Sequence, residues 1–556
     1  MTNSDIAANF DALARLLELY NEDSFKIRAY QNAARTIKNY PAFFSEMSLA
    51  EISAVPGIGK ATANKISELL QTSSMQLLED LIATTPAGVI DMMNIKGIGV
   101  KKLQTIWKEL NIDNPEDLLK ACKDNRLSTV KGFGEKTQKK IEEAIEFHIK
   151  NQSKSLLATV LNFASQMDSA LKISFPENKF LLTGDVYMHN NIVDKIQWVT
   201  DADDELLKKI KSLYGLKDAA NSSADNCYMH ESGIEIRFVQ EAPEMLVSKQ
   251  FELSCAEAFY EKFSSLYDTA KQTEEDIFKA ADLQFIPASL RNNVKWIEYA
   301  KKDAIPPLIK TDSIKGIIHC HSSWSDGGNT IEEIVNELRQ NGFEYLVISD
   351  HSKSAFYAEG LKEDRVMAQH KEIDELNDRF TDFTVFKSIE SDILNNGSLD
   401  YEDNVLSMFD LVIASVHTNL GMNEENAVKR IITAVENPYT SILGHMTGRL
   451  LLMRNGYPVN HKKIIDACAA NDVVIELNAN PRRLDMDWRY IDYALDKGVL
   501  ISINPDAHNL RGLYDIHYGV LSAQKAGLTK ENNLSSYNLT EIKTFIARQK
   551  QKRPFT

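Results

Sequence analysis

The sequence predicts a multidomain chain: an all-α N-terminal third, an α+β middle, and a C-terminal α/β domain built on a parallel sheet or barrel. Three observations point there. Residues 1–150 carry apolar positions at three- and four-residue spacing, as in Ile6, Phe10, Leu13, Leu16, Leu17 and Tyr20, the period of one helix face. Residues 155–300 mix such stretches with strand-like runs at 180–182 and 234–239. From Lys315 onward, short apolar runs alternate with helical segments, the pattern of βα units.

Composition narrows the class. The 556 residues are 43% hydrophobic and 26% charged, ordinary globular values that exclude collagen-like, mucin-like and largely disordered chains. No run approaches 18 apolar residues, so no transmembrane helix is expected. Residues 1–30 carry Asp5, Asp11, Glu18, Glu22 and Asp23 and show no basic, then apolar, secretory signal. Five scattered cysteines without a CxxC pair suit a reduced, cytoplasmic protein without membrane contact. The net charge is −16. Residues 1–150 hold 19 Lys and Arg against 20 Asp and Glu, so the remaining 406 residues carry −15. Contact with a polyanion is therefore expected in the first third, and the acidic remainder suits divalent cations.

The helical third contains a short repeat: Val55-Pro56-Gly57-Ile58-Gly59-Lys60, Ile95-Lys96-Gly97-Ile98-Gly99-Val100 and Val130-Lys131-Gly132-Phe133-Gly134-Glu135. Each copy lies between helical segments, with Lys60, Lys65, Lys101, Lys102, Lys139 and Lys140 nearby. Two glycines in an interhelical turn allow positive φ and a close backbone approach. The amides of the following helix can then bind phosphate without reading a base. Gly57, Gly59, Lys60, Lys65, Gly97, Gly99, Lys101, Lys102, Gly132 and Gly134 are thus expected to hold a DNA backbone, independent of sequence. The expected domains are 1–80 and 81–150 (two helix-hairpin-helix regions), 151–300 (α+β), 301–314 (a linker with Pro306-Pro307) and 315–556 (α/β).

In the α/β part, expected strands at 316–319, 345–349, 385–389, 411–416, 441–443, 473–477 and 500–503 alternate with helices such as 331–341 and 461–470. Such folds gather their chemistry at the C-terminal strand ends. His319 and His321 leave the first strand two residues apart, a spacing that points both imidazoles one way. Asp326 follows in a loop. His351, Glu390, His417 and His445 each follow a strand, and Asp506 and His508 repeat the two-residue spacing. Six of the twelve histidines fall in this set. Mixed imidazole and carboxylate ligands suit Mn²⁺, Zn²⁺ or Fe. Nine candidate ligands exceed the needs of one ion, so two or three divalent ions are expected. Close ions can hold both the attacking and the leaving oxygen of a phosphoryl displacement.

These motifs resemble a known family. His319-x-His321 with Ser325-Asp326-Gly327, Asp350-His351-Ser352, Glu390-Ser391-Asp392, Ser415-Val416-His417, Gly444-His445-Met446-Thr447-Gly448-Arg449 and Asp506-Ala507-His508 look like the polymerase-and-histidinol-phosphatase (PHP) domain over about residues 315–515. The resemblance implies a distorted (β/α)₇ barrel with a trinuclear metal site. Its ligands would be His319, His321, Asp326, His351, Glu390, His417, His445, Asp506 and His508. Asp326, His351, His417 and Asp506 would be catalytic, and Lys353, Arg449 and Arg483 are candidates to hold phosphate.

Phe25-Lys26-Ile27-Arg28-Ala29-Tyr30, Pro56-Gly57-Ile58-Gly59 and Lys65-Ile66 resemble the helical domain of bacterial family X DNA polymerases. Lys65 falls where lyase members of that family keep a Schiff-base lysine. Residues 275–291 resemble the end of the thumb, which makes 151–300 a nucleotidyltransferase-like palm and thumb. The palm departs from the family pattern of a Gly-Ser turn and three aspartates. Asp185 replaces the serine, and a gap-free reading keeps Asp194 as a residual palm carboxylate while placing Gln197 and Arg237 at the other two positions. Two Mg²⁺ ions need several converging carboxylates, so the polymerase site is expected to be degenerate.

The expected function is a DNA repair protein whose working centre is the PHP domain, a metal-dependent 3′–5′ exonuclease or 3′-end phosphoesterase. Three alternatives are a working DNA polymerase, a small-molecule phosphatase of the histidinol-phosphate type, and a non-enzymatic DNA-binding scaffold. Protein partners are not legible in the sequence.

Overall fold

In the computed structural model, which describes residues 1, 3–40, 42–95, 97–219 and 226–554, the chain divides into two units, Met1–Gln152 and Ser153–Thr556. Lys96, in the second repeat, lies outside the described residues.

Helices make up the first unit, and their starts follow the local sequence. Asp23 accepts from Phe25 N ahead of Ser24–Asn39, Ser48 and Glu51 form a capping box ahead of Leu49–Ala54, and Asn114 with Pro115 starts Pro115–Lys123. The apolar periodicity becomes a core in which Phe10, Leu13, Ile37, Phe44, Ile66, Leu103 and Ile145 are fully buried. All three repeats take the same backbone form. Gly57, Gly97 and Gly132 have φ of +88°, +94° and +95°, values open to glycine and strained for other residues. Gly59, Gly99 and Gly134 then cap Lys60–Thr72, Val100–Lys108 and Glu135–Asn151 with no side-chain acceptor at the cap.

The second unit opens with β1 (Ser155–Leu156), a helix Leu157–Ser174, and β2 (Phe180–Thr183). β3 (Ile192–Val193) pairs with β1. β4 (Lys195–Thr200), β5 (Lys217–Asp218), β6 (Cys227–Met229) and β7 (Glu235–Gln240) join β2 in a mixed sheet ordered β2-β4-β7-β6-β5. Ile196, Trp198, Ile236 and Phe238 turn one face of it into a core. Beyond the sheet, enclosed Arg291 donates to both oxygens of Glu274 at 2.7 and 2.9 Å, the bidentate geometry that makes a buried ion pair tolerable.

Seven parallel strands follow: β8 (Gly316–Cys320), β9 (Tyr345–Ile348), β10 (Thr384–Asp392), β11 (Leu411–Ser415), β12 (Ile442–Leu443), β13 (Val474–Asn478) and β14 (Ile501–Asn504). They pair in chain order, and a bridge between Cys320 and Ala507 brings the last back to the first, so the barrel is nearly closed. Burial on both faces explains why these strands read as unbroken apolar runs. Ile317, Leu346 and Val412 pack with the outer helices, while their neighbours Ile318, Val347 and Leu411 point into the barrel. Ile542, Phe545 and Ile546 of the helix Leu539–Gln551 join that inner cluster. The helix lies at the N-terminal strand ends, where Leu539 N donates to Glu344 and Lys550 pairs with Asp410. The opposite, C-terminal end is left for chemistry.

Residues 301–314 are fastened rather than loose: Ile309 is buried and its N donates to Leu528 O at 2.9 Å. The sheet and barrel are also tied through Lys525, whose ammonium donates to Asn190 and to Met188 O. No helix among the described residues is long and apolar enough to cross a membrane, and all five cysteines are free thiols.

One fold element yields a pH prediction. Burial pushes the Asp515 carboxyl up to about 7, against a smaller downward pull from Arg511. A carboxyl raised on folding binds its proton more tightly in the folded chain, so stability falls as pH climbs from about 4 to about 7. Asp515→Asn should remove on the order of 2 kcal/mol of that loss. Thermal melts of the variant and the parent should therefore agree near pH 4 and separate at pH 8, with the variant more stable.

Candidate metal centre

The strand ends bring all nine expected ligands to the C-terminal mouth of the barrel. His319 is the penultimate residue of β8 and Asp506 follows β14, both with left-handed backbone (φ +64° and +53°), a conformation that costs roughly 1 kcal/mol at each. Glu390, inside the end of β10, is the hub. Its Oε1 lies 3.2 Å from His319 Nε2, 3.2 Å from His417 Nε2 and 3.0 Å from His445 Nε2. Its Oε2 lies 2.9 Å from His351 Nδ1 and 3.6 Å from His321 Nε2. Asp506 Oδ1 is 3.1 Å from His321 Nε2 and 3.6 Å from His319 Nε2. Asp326 Oδ1 is 3.4 Å from His508 Nε2 and 3.6 Å from His351 Nε2.

Ligand atoms fall into three groups able to hold an ion: His321, Asp326, His351 and His508; His319, His321 and Asp506; and His351, Glu390 and His417. His445 stands outside these groups but touches Glu390. Hydrogen bonding supplies the test of fit. His319 Nε2, His321 Nδ1, His351 Nδ1, His445 Nδ1 and Glu390 Oε2 are buried, yet none has a hydrogen-bond partner among the described residues. Leaving such an atom unpaired costs about 1–3 kcal/mol. Four of them, those of His319, His321, His351 and Glu390, lie together, close but wrongly aligned for bonding one another, and suit residues arranged around divalent cations.

Charge agrees with geometry. Burial opposes protonation of His417, but Glu390 and Asp392 outweigh it and lift this imidazole to about 10. Burial likewise opposes His508, and Asp326 and Asp506 raise it to about 9. His321 goes the other way, to about 3, through burial and then its neighbours His508 and His351. Glu390 is held well below the usual carboxylate range because the imidazolium charges of His417, His319 and His351 overcome its burial. A field that draws protons onto imidazoles is one that divalent cations would neutralise, releasing those protons.

Supporting residues absent from the sequence expectation orient the ligands. Glu476 Oε2 lies 2.6 Å from His319 Nδ1 and accepts from Asn504 at 2.9 Å, while its other oxygen accepts from His445 N at 3.1 Å and Asn478 at 3.0 Å. Asp392 holds His417 Nδ1. A carboxylate behind a ligating imidazole fixes its tautomer and raises its basicity. Glu476 carried a signal, being one acid inside an apolar strand. Asp392 did too, two residues beyond Glu390.

Of the three residues expected to hold phosphate, the structure brings Arg483 to the cluster, with Nε 3.3 Å from Asp506 Oδ2. The other two have their charges engaged with partners outside the ligand set. Arg449 spends its guanidinium on Asp487 at 2.8 Å and on the carbonyls of Arg483 and Leu484. Lys353 pairs with Glu363 at 2.7 Å.

In the mixed sheet, β4 and β7 run parallel with Gln197 opposite Arg237 and Lys195 opposite Glu235. Register partners and their second neighbours share a face. That face therefore presents Lys195, Gln197, Glu235 and Arg237, with Lys195 and Glu235 3.5 Å apart. Asp194 does not join it. It sits in the bend between β3 and β4, and its carboxylate lies 3.4 Å from Lys154 Nζ. Asp185 accepts from Asn190 and from Asp194 N.

In the first unit, the three Gly-x-Gly turns are exposed at Gly57, Gly59, Gly97, Gly99, Gly132 and Gly134, and a Cβ at five of them would meet open space. Lys60 and Lys101 are exposed beside them, while Lys65 and Lys102 are half-buried.

A helix-hairpin-helix region, a mixed α/β middle and a nearly closed seven-stranded barrel with an imidazole–carboxylate mouth define a multidomain protein of the PHP-barrel class. Comparison with known proteins sharpens this. Residues 1–75 match the family described as "Helix-hairpin-helix domain", and residues 89–146 match "SAM-like Helix-hairpin-helix tandem". The "DNA polymerase/3'-5' exonuclease PolX" of Bacillus subtilis is 30% identical, with 99% of this chain and 100% of the relative aligned. A "probable phosphatase" of Thermoanaerobacter sp. is 24% identical over 43% of this chain and 98% of its own length. One from Caldanaerobacter subterraneus is 24% identical over 34% of this chain and 74% of its own. The chain belongs to the PolX family, the bacterial family X DNA polymerases with a PHP domain.

Proposed function

We propose that this chain is a DNA repair enzyme of the cytoplasm, working as a 3′–5′ exonuclease or 3′-end phosphodiesterase in its barrel, and that its polymerase site is lost. One observation carries the reading: buried, unpaired imidazole and carboxylate atoms converge at a single barrel mouth. The nuclease half of the Bacillus subtilis relative's name supports it.

His319, His321, Asp326, His351, Glu390, His417, His445, Asp506 and His508 would hold two or three divalent ions, Mn²⁺ or Zn²⁺ or Fe. Such ions supply Lewis-acid polarisation of the phosphoryl group and lower the pKa of attacking water. The chain's own groups do the rest. Glu390 and Asp506 set the spacing of the imidazoles, with Glu476 and Asp392 fixing His319 and His417. Asp326, the most exposed carboxylate of the set at 37%, would help to take the proton of incoming water. Arg483 meets a non-bridging phosphate oxygen.

The helix-hairpin-helix turns hold the DNA backbone through amides and lysines. Replacing Lys101 and Lys102 with Ala should weaken binding uniformly across sequences. The slope of log K against log salt should fall by about 0.9 for each phosphate that the protein no longer neutralises.

The palm face of Lys195, Gln197, Glu235 and Arg237 lacks the convergent carboxylates that two Mg²⁺ ions need. The "probable phosphatase" names of the two shorter relatives favour a second reading, which for this chain would be hydrolysis of phosphomonoesters. Digestion of a 5′-labelled, 3′-recessed duplex with Mn²⁺ separates the two. Stepwise shortening that is lost in His319→Ala supports the nuclease. Turnover of phosphomonoesters alone, or no nuclease activity with any of Mn²⁺, Zn²⁺ and Fe²⁺, overturns it.

A further inference from the structure

Beside the cluster stands a loop that is fixed at its base and apolar at its tip. Ser352 N donates to Glu390 O at 3.1 Å, Asp392 N donates to Ser352 Oγ at 2.9 Å, and Leu361 N donates to His351 O at 2.8 Å. Both ends of 352–361 are thus bonded to residues of the metal centre. Ser354 N donates to Asp400 at 2.6 Å, and Arg365 donates to Glu359 O at 2.6 Å. The return is tight enough that a Cβ at Gly360 would lie 2.0 Å from Ser352 O.

Ala355 and Ala358 are buried, yet between them Phe356 is 85% exposed and Tyr357 58%. Phe356 is the most exposed large hydrophobic residue among those described. The two rings sit 5.9 Å apart at 77°. The loop that carries Tyr357 is fastened to His351, Glu390 and Asp392, and the electrostatics of its phenol agree with that position. After its own burial, the charges that act most on its phenol are Asp392, Glu390 and Asp326, with Arg483 opposing. An anchored loop that holds two aromatic faces in water next to a reaction centre is shaped for a planar apolar ligand.

We propose that Phe356 and Tyr357 form a stacking platform for the last bases of a DNA strand whose 3′-terminal phosphodiester lies at the cluster. The proposal rests on reading the barrel as a phosphodiesterase. Every nucleobase has a π face, so such a platform tolerates all sequences. Paired bases inside a duplex hide those faces, so a frayed or single-stranded 3′ end is the preferred substrate. Both residues position the strand and neither touches the reacting phosphorus.

The test compares Phe356→Ala, Tyr357→Ala and Tyr357→Phe with the parent, in the full-length chain with Mn²⁺. Three substrates are used: a single-stranded oligonucleotide, the same oligonucleotide ending in two abasic nucleotides, and bis(p-nitrophenyl) phosphate. Each alanine should raise KM for the normal oligonucleotide about tenfold, the order of one lost stack, with a much smaller change in kcat. It should also erase the preference for a normal over an abasic end, whereas Tyr357→Phe should keep it. Equal losses on all three substrates would show that the loop merely supports the ligands, and an unchanged KM would remove the platform. Should the parent hydrolyse no phosphodiester, the underlying reading fails. Quenching of a 3′-terminal 2-aminopurine, present in the parent and lost in both alanine variants, then still decides whether the rings stack a base.

Discussion

Glu390→Gln is expected to lower Mn²⁺-dependent phosphodiester hydrolysis by about 10²–10³-fold, the range that loss of one electrostatic stabiliser costs. The change keeps shape and removes charge. Five imidazoles (His319, His321, His351, His417 and His445) lie within 3.6 Å of this carboxylate, and an amide would turn a weak ligand or an N–H donor toward them. His417, lifted to about 10 chiefly by Glu390 and Asp392 against its burial, should lose much of that elevation. The barrel itself should survive, since its strands are held by apolar packing on both faces and by the floor helix Leu539–Gln551. Far-ultraviolet circular dichroism should therefore match the parent while steady-state hydrolysis collapses. Hydrolysis within threefold of the parent would remove Glu390 from the centre of the reaction.

Primer extension should give no product above the buffer control, with either Mg²⁺ or Mn²⁺ and all four deoxynucleotides. Polymerase chemistry needs two divalent ions held by converging carboxylates. The face where β4 meets β7 offers Lys195, Gln197, Glu235 and Arg237, with Glu235 neutralised by Lys195 at 3.5 Å. Asp194 stands outside it beside Lys154. In addition, Gln197 Oε1 lies 3.3 Å from where a Cβ would stand on Gly184, so its amide leans over that turn. Extension by even a few nucleotides, abolished by Asp194→Ala, would show that another carboxylate set does the work.

The barrel was legible because of the physics of buried parallel strands. A strand covered on both faces reads as an apolar run, and a histidine or acid directly after such a run stands at a strand end. That logic puts His319, His351, His417, His445 and Asp506 at strand ends, and the structure gathers them at one mouth. The two-residue spacing also singled out His321 and His508, although the backbone there is not extended, since His319 and Asp506 are left-handed. The same logic could have found Glu476 and Asp392, whose positions within strands made them conspicuous charges. Spacing along the chain carried no such information for Lys353 and Arg449, because flexible cations go to the nearest carboxylate or carbonyl, here Glu363 and the 483–487 segment. Asp194 stands in the bend before β4, and a gap-free count cannot tell a strand residue from such a bend. The loop of Phe356 and Tyr357 left no trace in the sequence, since an aromatic pair between alanines reads as core until its exposure is known.

Metal analysis of the purified chain tests the central claim most directly. Inductively coupled plasma mass spectrometry after dialysis against Mn²⁺, then against metal-free buffer, should find two or three transition ions per chain in the parent and at least one fewer in Glu390→Gln. Parent protein that retains less than one ion per chain, or a variant that retains as many as the parent, would contradict the reading of this barrel mouth as a metal centre.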